Sequence, residues 1–130
     1  MLTYLVDSAI LINHLRRKRR LQAYLGEFRP AVRYACSAMT VAEVLAGMRA
    51  PEETATRQLL DGLAHLPITA AVAEKAAEIQ RTFRNRGQTI PLADCLIAAT
   101  ALLEKATLVT ANGKHYPMIS DKITQPVFPS

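Results

Sequence analysis

The sequence predicts an α/β domain built on a short, mainly parallel central sheet. Three observations carry that expectation. Apolar runs at Leu2–Val6 and Thr107–Thr110 (TLVT) have the length and composition of buried strands. Between them lie longer segments with helical spacing. Strands separated by helices point to parallel pairing, because a parallel neighbour is reached only through a crossover. Alanine is abundant and glycine scarce, with 5 in 130 residues, which suits a helix-rich chain. At this length one domain, 1–130, is expected, and a hydrophobic content of 50% is enough for a core.

The elements follow in order. Leu2–Val6 opens the sheet. Ser8 to about Arg17 reads as a helix, and Arg20–Phe28 as a second, short one. Arg33–Ser37 is a candidate strand and Thr40–Met48 a helix. Glu52–Leu66 reads as one amphipathic helix, with Leu59, Leu60, Leu63 and Leu66 on its apolar side. Ala70–Arg86 is another, closed by Gly87. Pro91–Lys105 is a helix apolar on nearly every face, hence a buried one. Thr107–Thr110 is a strand. Ile123–Phe128 is a last edge strand, limited by its prolines. In sheets of this class ligands bind beyond the carboxyl ends of the strands, which directs attention to Asp7 and to the segment after Thr110.

Composition narrows the partners. The formal net charge is +5 and the isoelectric point about 9.6, which favours an acidic partner, nucleic acid first. Cys36 and Cys95 lie in apolar surroundings without metal-ligand spacing, so reduced core thiols and a cytoplasmic compartment are expected. The N-terminus lacks a basic n-region and Asp7 interrupts its apolar run, so no signal peptide is expected. No uncharged run reaches the roughly 20 residues of a membrane span.

Asp94 is the residue that does not fit. From Leu92 to Leu103 only Asp94 and Thr100 fall outside the apolar set. At about 100° per residue, Asp94 shares its face with Ile90, Ile97, Ala98 and Ala101, so no polar stripe excuses it. An unpaired buried carboxylate costs several kcal/mol against a total stability of roughly 5–15 kcal/mol. A first-turn acid gains only about 0.3–1 kcal/mol from the helix dipole. Asp94 therefore needs a partner, a raised pKa, a metal, or a cleft that keeps it wet.

Other acids have two readings each. Asp7 follows the first strand, where it can cap the next helix. Ser8 can cap equally well, which leaves Asp7 free at a strand end. Glu43 completes Thr40-x-x-Glu43, a capping-box pattern. It also has small neighbours one turn on, Ala46 and Gly47, that leave room for a ligand. In LVTANGKHYPMI, Thr110 and Asn112 offer polar side chains at a strand end, and Asn112-Gly113 reads as a turn.

The order of these signals resembles the PIN domain, and more closely the VapC-type ribonuclease toxins of prokaryotic toxin–antitoxin pairs. The matching residues are Tyr4-Leu5-Val6-Asp7-Ser8, Ser37-x-x-Thr40-x-x-Glu43-x-x-x-Gly47, Pro91-Leu92-x-Asp94-x-x-Ile97-Ala98 and Leu108-Val109-Thr110-x-Asn112. The resemblance runs over about residues 3–128. It implies a PIN-like three-layer α/β/α fold. It implies that Asp7, Glu43 and Asp94 are the catalytic acids of a Mg²⁺ site, which Mn²⁺ can also fill. Ser8, Thr110 and Asn112 would support them. The implied activity is endonucleolytic hydrolysis of RNA that leaves a 5′-phosphate. The implied partners are a VapB-type antitoxin across the cleft and a second copy in a homodimer. Many members carry a further acid just after the T-x-N turn, where this chain has His115, so one metal ion is expected here. Asp121 is given no role.

Elementary chemistry agrees with that assignment. Three carboxylates in one cleft repel, and without a cation at least one takes up a proton. Mg²⁺ prefers oxygen ligands, keeps several waters, and binds through one or two carboxylates plus a substrate phosphate. Such a site needs no Ser, Cys or His nucleophile. The basic run Arg16, Arg17, Lys18, Arg19, Arg20 reads equally as a solvated turn or as a phosphate-tracking patch, with Lys114 a further RNA contact. Two other functions compete. A catalytically silent PIN-like module that binds RNA or a partner would have lost acids, and all three are present. A phosphotransfer domain needs an acidic pair or D-x-D at a strand end, whereas Asp7 is followed by Ser8 and Ala9.

Overall fold

In the computed structural model, which describes residues 2–16 and 32–124, the strands form one five-stranded sheet in which every pairing is parallel. They are β1 (Leu2–Val6), β2 (Val32–Ser37), β3 (Ala64–Leu66), β4 (Thr107–Val109) and β5 (Ile123–Thr124). Their order across the sheet is β3-β2-β1-β4-β5. The chain steps outward from β1 to β3, then crosses back and lays β4 on the free side of β1. The order therefore reverses between β1 and β4, and a crevice opens at such a switch point.

Among the described residues, five α-helices cover the sheet: α1 (Ser8–Arg16), α2 (Ala38–Gly47), α3 (Glu53–Asp61), α4 (Ala70–Arg84) and α5 (Leu92–Leu103). The two-residue period of the strands divides the core. Leu5, Ala35 and Leu108 face one side, where they pack with Val72, Ala76 and Ile79 of α4 and Cys95, Ile97 and Ala98 of α5. Val6, Cys36 and Val109 face the other, with Ile10 and Leu11 of α1, Val44 of α2 and Leu60 of α3. This is the expected three-layer arrangement.

Several boundaries differ from expectation. The segment Glu52–Leu66 is not one helix. A 3-10 turn covers Ala50–Glu52, α3 stops at Asp61, and Ala64–Leu66 is a strand. The reason is visible in the leucines. Leu60 packs on one face of the sheet and Leu66 on the other, which one straight helix cannot do. Pairing Ala35 with Ala64 and Ser37 with Leu66 also satisfies the outer edge of β2.

The α2 helix begins at Ala38, two residues earlier than the sequence predicts, because Ser37 caps it. The Thr40 N–H donates to Ser37 Oγ at 3.0 Å. The capping box lies elsewhere: Glu52 Oε1 accepts from the Arg49 N–H at 2.8 Å. The α4 helix ends at Arg84, and Gly87, at φ +81°, closes the turn by donating to the Arg84 carbonyl at 2.9 Å. Pro91 sits just before α5 rather than within its first turn. Of the expected last strand, Ile123–Thr124 pairs with β4, and the rest lies outside the described residues. The expected helix Arg20–Phe28 also lies outside them.

Leu108 is fully buried on β4, between β1 and β5. Leu108→Ala is expected to cost about 2–5 kcal/mol. Urea unfolding checks this: the midpoint falls with an unchanged slope. A shift worth under about 1 kcal/mol would show that the β1–β4 seam is not central to stability.

Candidate active site at the switch of strand order

The site starts from the register of β1 and β4. Val6 lies opposite Val109, so the next residues, Asp7 and Thr110, leave the sheet side by side. The Asp7 N–H continues the ladder by donating to the Val109 carbonyl at 3.1 Å. Asp7 is 4% exposed. Its Oδ1 accepts from the Ile10 N–H at 3.1 Å, and its Oδ2 accepts from the Thr110 hydroxyl. Asp7 rather than Ser8 is thus the cap of α1, and it is a strand-end acid as well; the two readings do not compete.

Thr110 is itself held. Its Oγ1 accepts from the Asn112 N–H at 3.0 Å. Asn112 acts here through its main chain, and its carbonyl accepts from the His115 N–H at 2.9 Å as the 3-10 turn Gly113–His115 begins. The chain from Asn112 through Thr110 to Asp7 fixes one oxygen of the buried carboxylate.

Glu43 comes from the middle of α2, not from its first turn, so it closes no capping box with Thr40. Ser8 favours the ionised form of its side chain. Its Oε1 is buried and has no hydrogen-bond partner. Gly47 does leave space, but not for lack of a side chain: a Cβ there would meet nothing within 4 Å.

Asp94 lies in the first turn of α5, half-buried, while Cys95 and Ile97 to Ala101 behind it are buried. The helix is buried in its middle, and Asp94 sits where it opens. A cavity of about 200 Å³ lies there, lined by Gln88, Thr89, Ile90, Pro91, Asp94, Lys114 and His115. Asp94 also has a partner that the sequence did not reveal. His115 and the buried Tyr116 phenol both favour its ionised form. A tyrosine after a polar turn reads as core packing. Only the fold sets its hydroxyl among the acids.

Electrostatics tie these groups together. Burial raises the pKa of Asp7 above the ordinary carboxylate range, Thr110 and Ile10 counter it, and Asp94 raises it further. Burial raises Glu43, Ser8 counters it, and both aspartates add to the rise. Burial raises Asp94, against the effect of His115 and Tyr116. Among the described residues, no three His, Cys, Asp or Glu side chains already form a metal cage. An ion that keeps several of its own waters does not need one. Lys114 and His115 stand exposed at the cavity. In the basic run, Arg16 ends α1, and Arg17, Lys18, Arg19 and Arg20 lie outside the described residues.

The PIN domain family matches residues 4–118, a span that holds all three acids, Thr110 and Tyr116. This chain belongs to the PIN-domain family. Two similar proteins of Mycobacterium tuberculosis are Ribonuclease VapC10 and Ribonuclease VapC19. The first is 37% identical over 88% of this chain and 86% of its own. The second is 31% identical over 90% and 94%. A toxin–antitoxin complex from Klebsiella pneumoniae superposes with a TM-score of 0.79 at 27% identity, over 97% of this PIN domain and 99% of that chain. VapBC2 of Rickettsia felis, bound to a promoter DNA fragment, shares the fold with a TM-score of 0.86 at 21% identity, over 97% and 100%. Among the described residues of this PIN domain no helix is long and apolar enough to cross a membrane.

The raised acids carry a sign. A carboxyl whose folded pKa exceeds its unfolded value binds more protons when folded. Its stabilisation is present below the ordinary values of 3.8 for Asp and 4.5 for Glu, and is lost as pH rises through the folded pKa. Metal-free protein should therefore lose this contribution as pH rises above about 4. Asp94→Asn should melt higher than wild type in EDTA at pH 7, with the gap closing toward pH 4. Parallel melting curves across that range would show that the acids do not strain the fold.

Proposed function

We propose that this PIN domain is a Mg²⁺-dependent endoribonuclease toxin, held inactive by a VapB-type antitoxin. The observation that carries the reading is the gathering of Asp7, Glu43 and Asp94 at the switch of strand order. Each is raised by burial, Asp94 raises both of the others, and Glu43 keeps a buried oxygen without a partner. The similar VapC-named ribonucleases and the toxin–antitoxin complexes support the choice of RNA and of partner.

The donor set fits a hard divalent cation: it is all oxygen, anionic and short of counter-charge. Asp7, Glu43 and Asp94 are the residues that would hold it, with Mn²⁺ as a substitute. When bound, the cation supplies Lewis-acid stabilisation of a phosphate and a more acidic water. The chain's own groups do the rest. Thr110 and the Ile10 N–H hold Asp7 in one orientation and favour its ionised form. Ser8 favours the ionised form of Glu43, whose free Oε1 accepts a proton from the attacking water. Lys114 and His115 offer donors to the substrate backbone at the cavity beside Asp94. Water, and neither a side chain nor the RNA 2′-hydroxyl, is the nucleophile in this reading, so cleavage is a hydrolysis.

The same cluster explains inhibition. A basic antitoxin side chain placed over the acids would relieve their repulsion as the cation does, and would shut out RNA. Buried Cys36 and Cys95, both free, suit a reducing cytoplasm. A homodimer belongs to the same proposal, and the apolar faces of α3 and α4 are used up by the core. Leu60, Val72, Ala76 and Ile79 of α3 and α4 are core. The exposed large apolar side chains include Leu92 and Leu103 of α5.

The deciding experiment is cleavage of end-labelled small RNA by wild type and Asp94→Asn, each with Mg²⁺ and with EDTA. Discrete cuts are expected from wild type with Mg²⁺ alone. Cutting in EDTA, or by Asp94→Asn at the wild-type rate, would sink the metal-dependent mechanism. No cutting by folded, antitoxin-free wild type would leave a binding module instead. Thr110→Val keeps the shape but removes the donor to Asp7, and should slow cleavage by about 10-fold or more. A wild-type rate in that variant would mean that the hydroxyl is not needed to orient Asp7.

A further inference from the structure

The cavity beside Asp94 has two walls. One is the segment that joins α4 to α5, which supplies Gln88, Thr89, Ile90 and Pro91. The other is the turn after β4, which supplies Lys114 and His115. Asp94, an acid of the proposed site, lines the cavity as well. The second wall is tied to another of the acids. The His115 N–H donates to the Asn112 carbonyl at 2.9 Å, the Asn112 N–H donates to Thr110 Oγ1 at 3.0 Å, and the Thr110 hydroxyl donates to Asp7. A chain held at the acids can therefore reach into the cavity without leaving them.

The first wall is fixed in place. Gly87, at φ +81°, turns the chain, and the Gln88 N–H donates to the Phe83 carbonyl at 2.9 Å. Two residues on, the Ile90 carbonyl accepts from the Gln80 side-chain amide at 3.0 Å, and Ile90 is buried. The Pro91 carbonyl accepts from the Cys95 N–H at 3.1 Å. Between these anchors Gln88 and Thr89 are exposed. A wall held at both ends presents their polar groups to a ligand at little further entropic cost.

The composition of the cavity points to a class of ligand. Ile90 and Pro91 are apolar, whereas Gln88 and Thr89 carry groups that both donate and accept hydrogen bonds. A nucleobase has the matching form, with flat apolar faces and a polar edge, and unstacked bases are what proteins read in single-stranded RNA. Size agrees. Pockets for drug-sized molecules run to roughly 300–1,000 Å³. This one, at about 200 Å³, suits a single base. Charge agrees too: the Asp94 carboxylate repels a bare phosphate but not a neutral ring.

We propose that this cavity is a base-reading subsite of the nuclease. It takes the unstacked base of the nucleotide next to the scissile phosphate, and Gln88 and Thr89 select that base by its hydrogen-bonding edge. Lys114 and His115 keep the backbone contacts described above. A base that satisfies the amide and the hydroxyl together is favoured, and the others leave a polar group unpaired. The proposal rests on the endoribonuclease reading and adds to it the residues that choose where RNA is cut.

The probe is a pool of short single-stranded oligoribonucleotides with a randomised centre. Antitoxin-free protein cuts it in Mg²⁺, and the products are sequenced. Wild type is expected to prefer one base at one position flanking the cut by about 10-fold or more. Gln88→Ala should abolish that preference and Thr89→Val should reduce it, at that position alone and without lowering the melting temperature. Equal cutting beside all four bases by wild type would overturn the proposal and leave the endoribonuclease reading standing. So would the wild-type preference in both variants. A preference lost together with a lowered melting temperature would also overturn it, in favour of a structural role for the segment. So would a wild type that cuts total small RNA but not the pool, because the subsite takes an unstacked base. If wild type cut neither, the endoribonuclease reading would fall, and this proposal with it.

Discussion

The burial of three carboxylates at one end of the sheet is the constraint around which this domain is arranged. Asp7, Glu43 and Asp94 come from three different elements, and burial raises the pKa of each. Nothing about such a cluster stabilises a fold. It persists because the sheet, α2 and α5 are each secured elsewhere: by parallel ladders, by the Ser37 cap, and by the apolar interior of α5. The strain is local and the support is distributed, a common balance at functional sites.

The support is graded. Asp7, the most buried acid, has the most partners: the Ile10 N–H, the Thr110 hydroxyl, and a ladder bond through its own main chain. Asp94 has Tyr116 and the electrostatic help of His115. Glu43 has Ser8 on one side and a bare oxygen on the other. A carboxylate oxygen kept from water without a donor is costly, so its natural complement is a cation or a proton. The least satisfied group is the one best placed to do chemistry.

Stability and activity therefore pull in opposite directions at this site. The groups that a metal-dependent nuclease requires are the ones that the metal-free fold would be better without. In the proposed function, a cation and a basic antitoxin side chain would each offset the charge of the same acids, so the chemistry and its inhibition would use one source of free energy. This is the physical link between the PIN-domain architecture and the toxin–antitoxin reading proposed here.

The residues by themselves determined the fold class, the two central strands at Leu2–Val6 and Thr107–Thr110, the second ending one residue earlier in the fold, and the anomaly of Asp94. An acid within an apolar helix is an energetic anomaly legible without coordinates. Tertiary structure decided what local patterns left open. The spacing of Leu60 and Leu66 fits one helix, yet they pack on opposite faces of the sheet, and pairing with β2 turned the second into part of a strand. Thr40 and Glu43 matched a capping box, yet Ser37 began the helix earlier and moved Glu43 to its middle. Asp7 was a cap or a free strand-end acid on sequence grounds, and it combines the two, because a carboxylate has two oxygens and β4 brings Thr110 to the second. Tyr116 carried no signal at all. Its neighbours in space are distant in sequence, and an electrostatic effect across the core is a property of the fold, not of any stretch of chain.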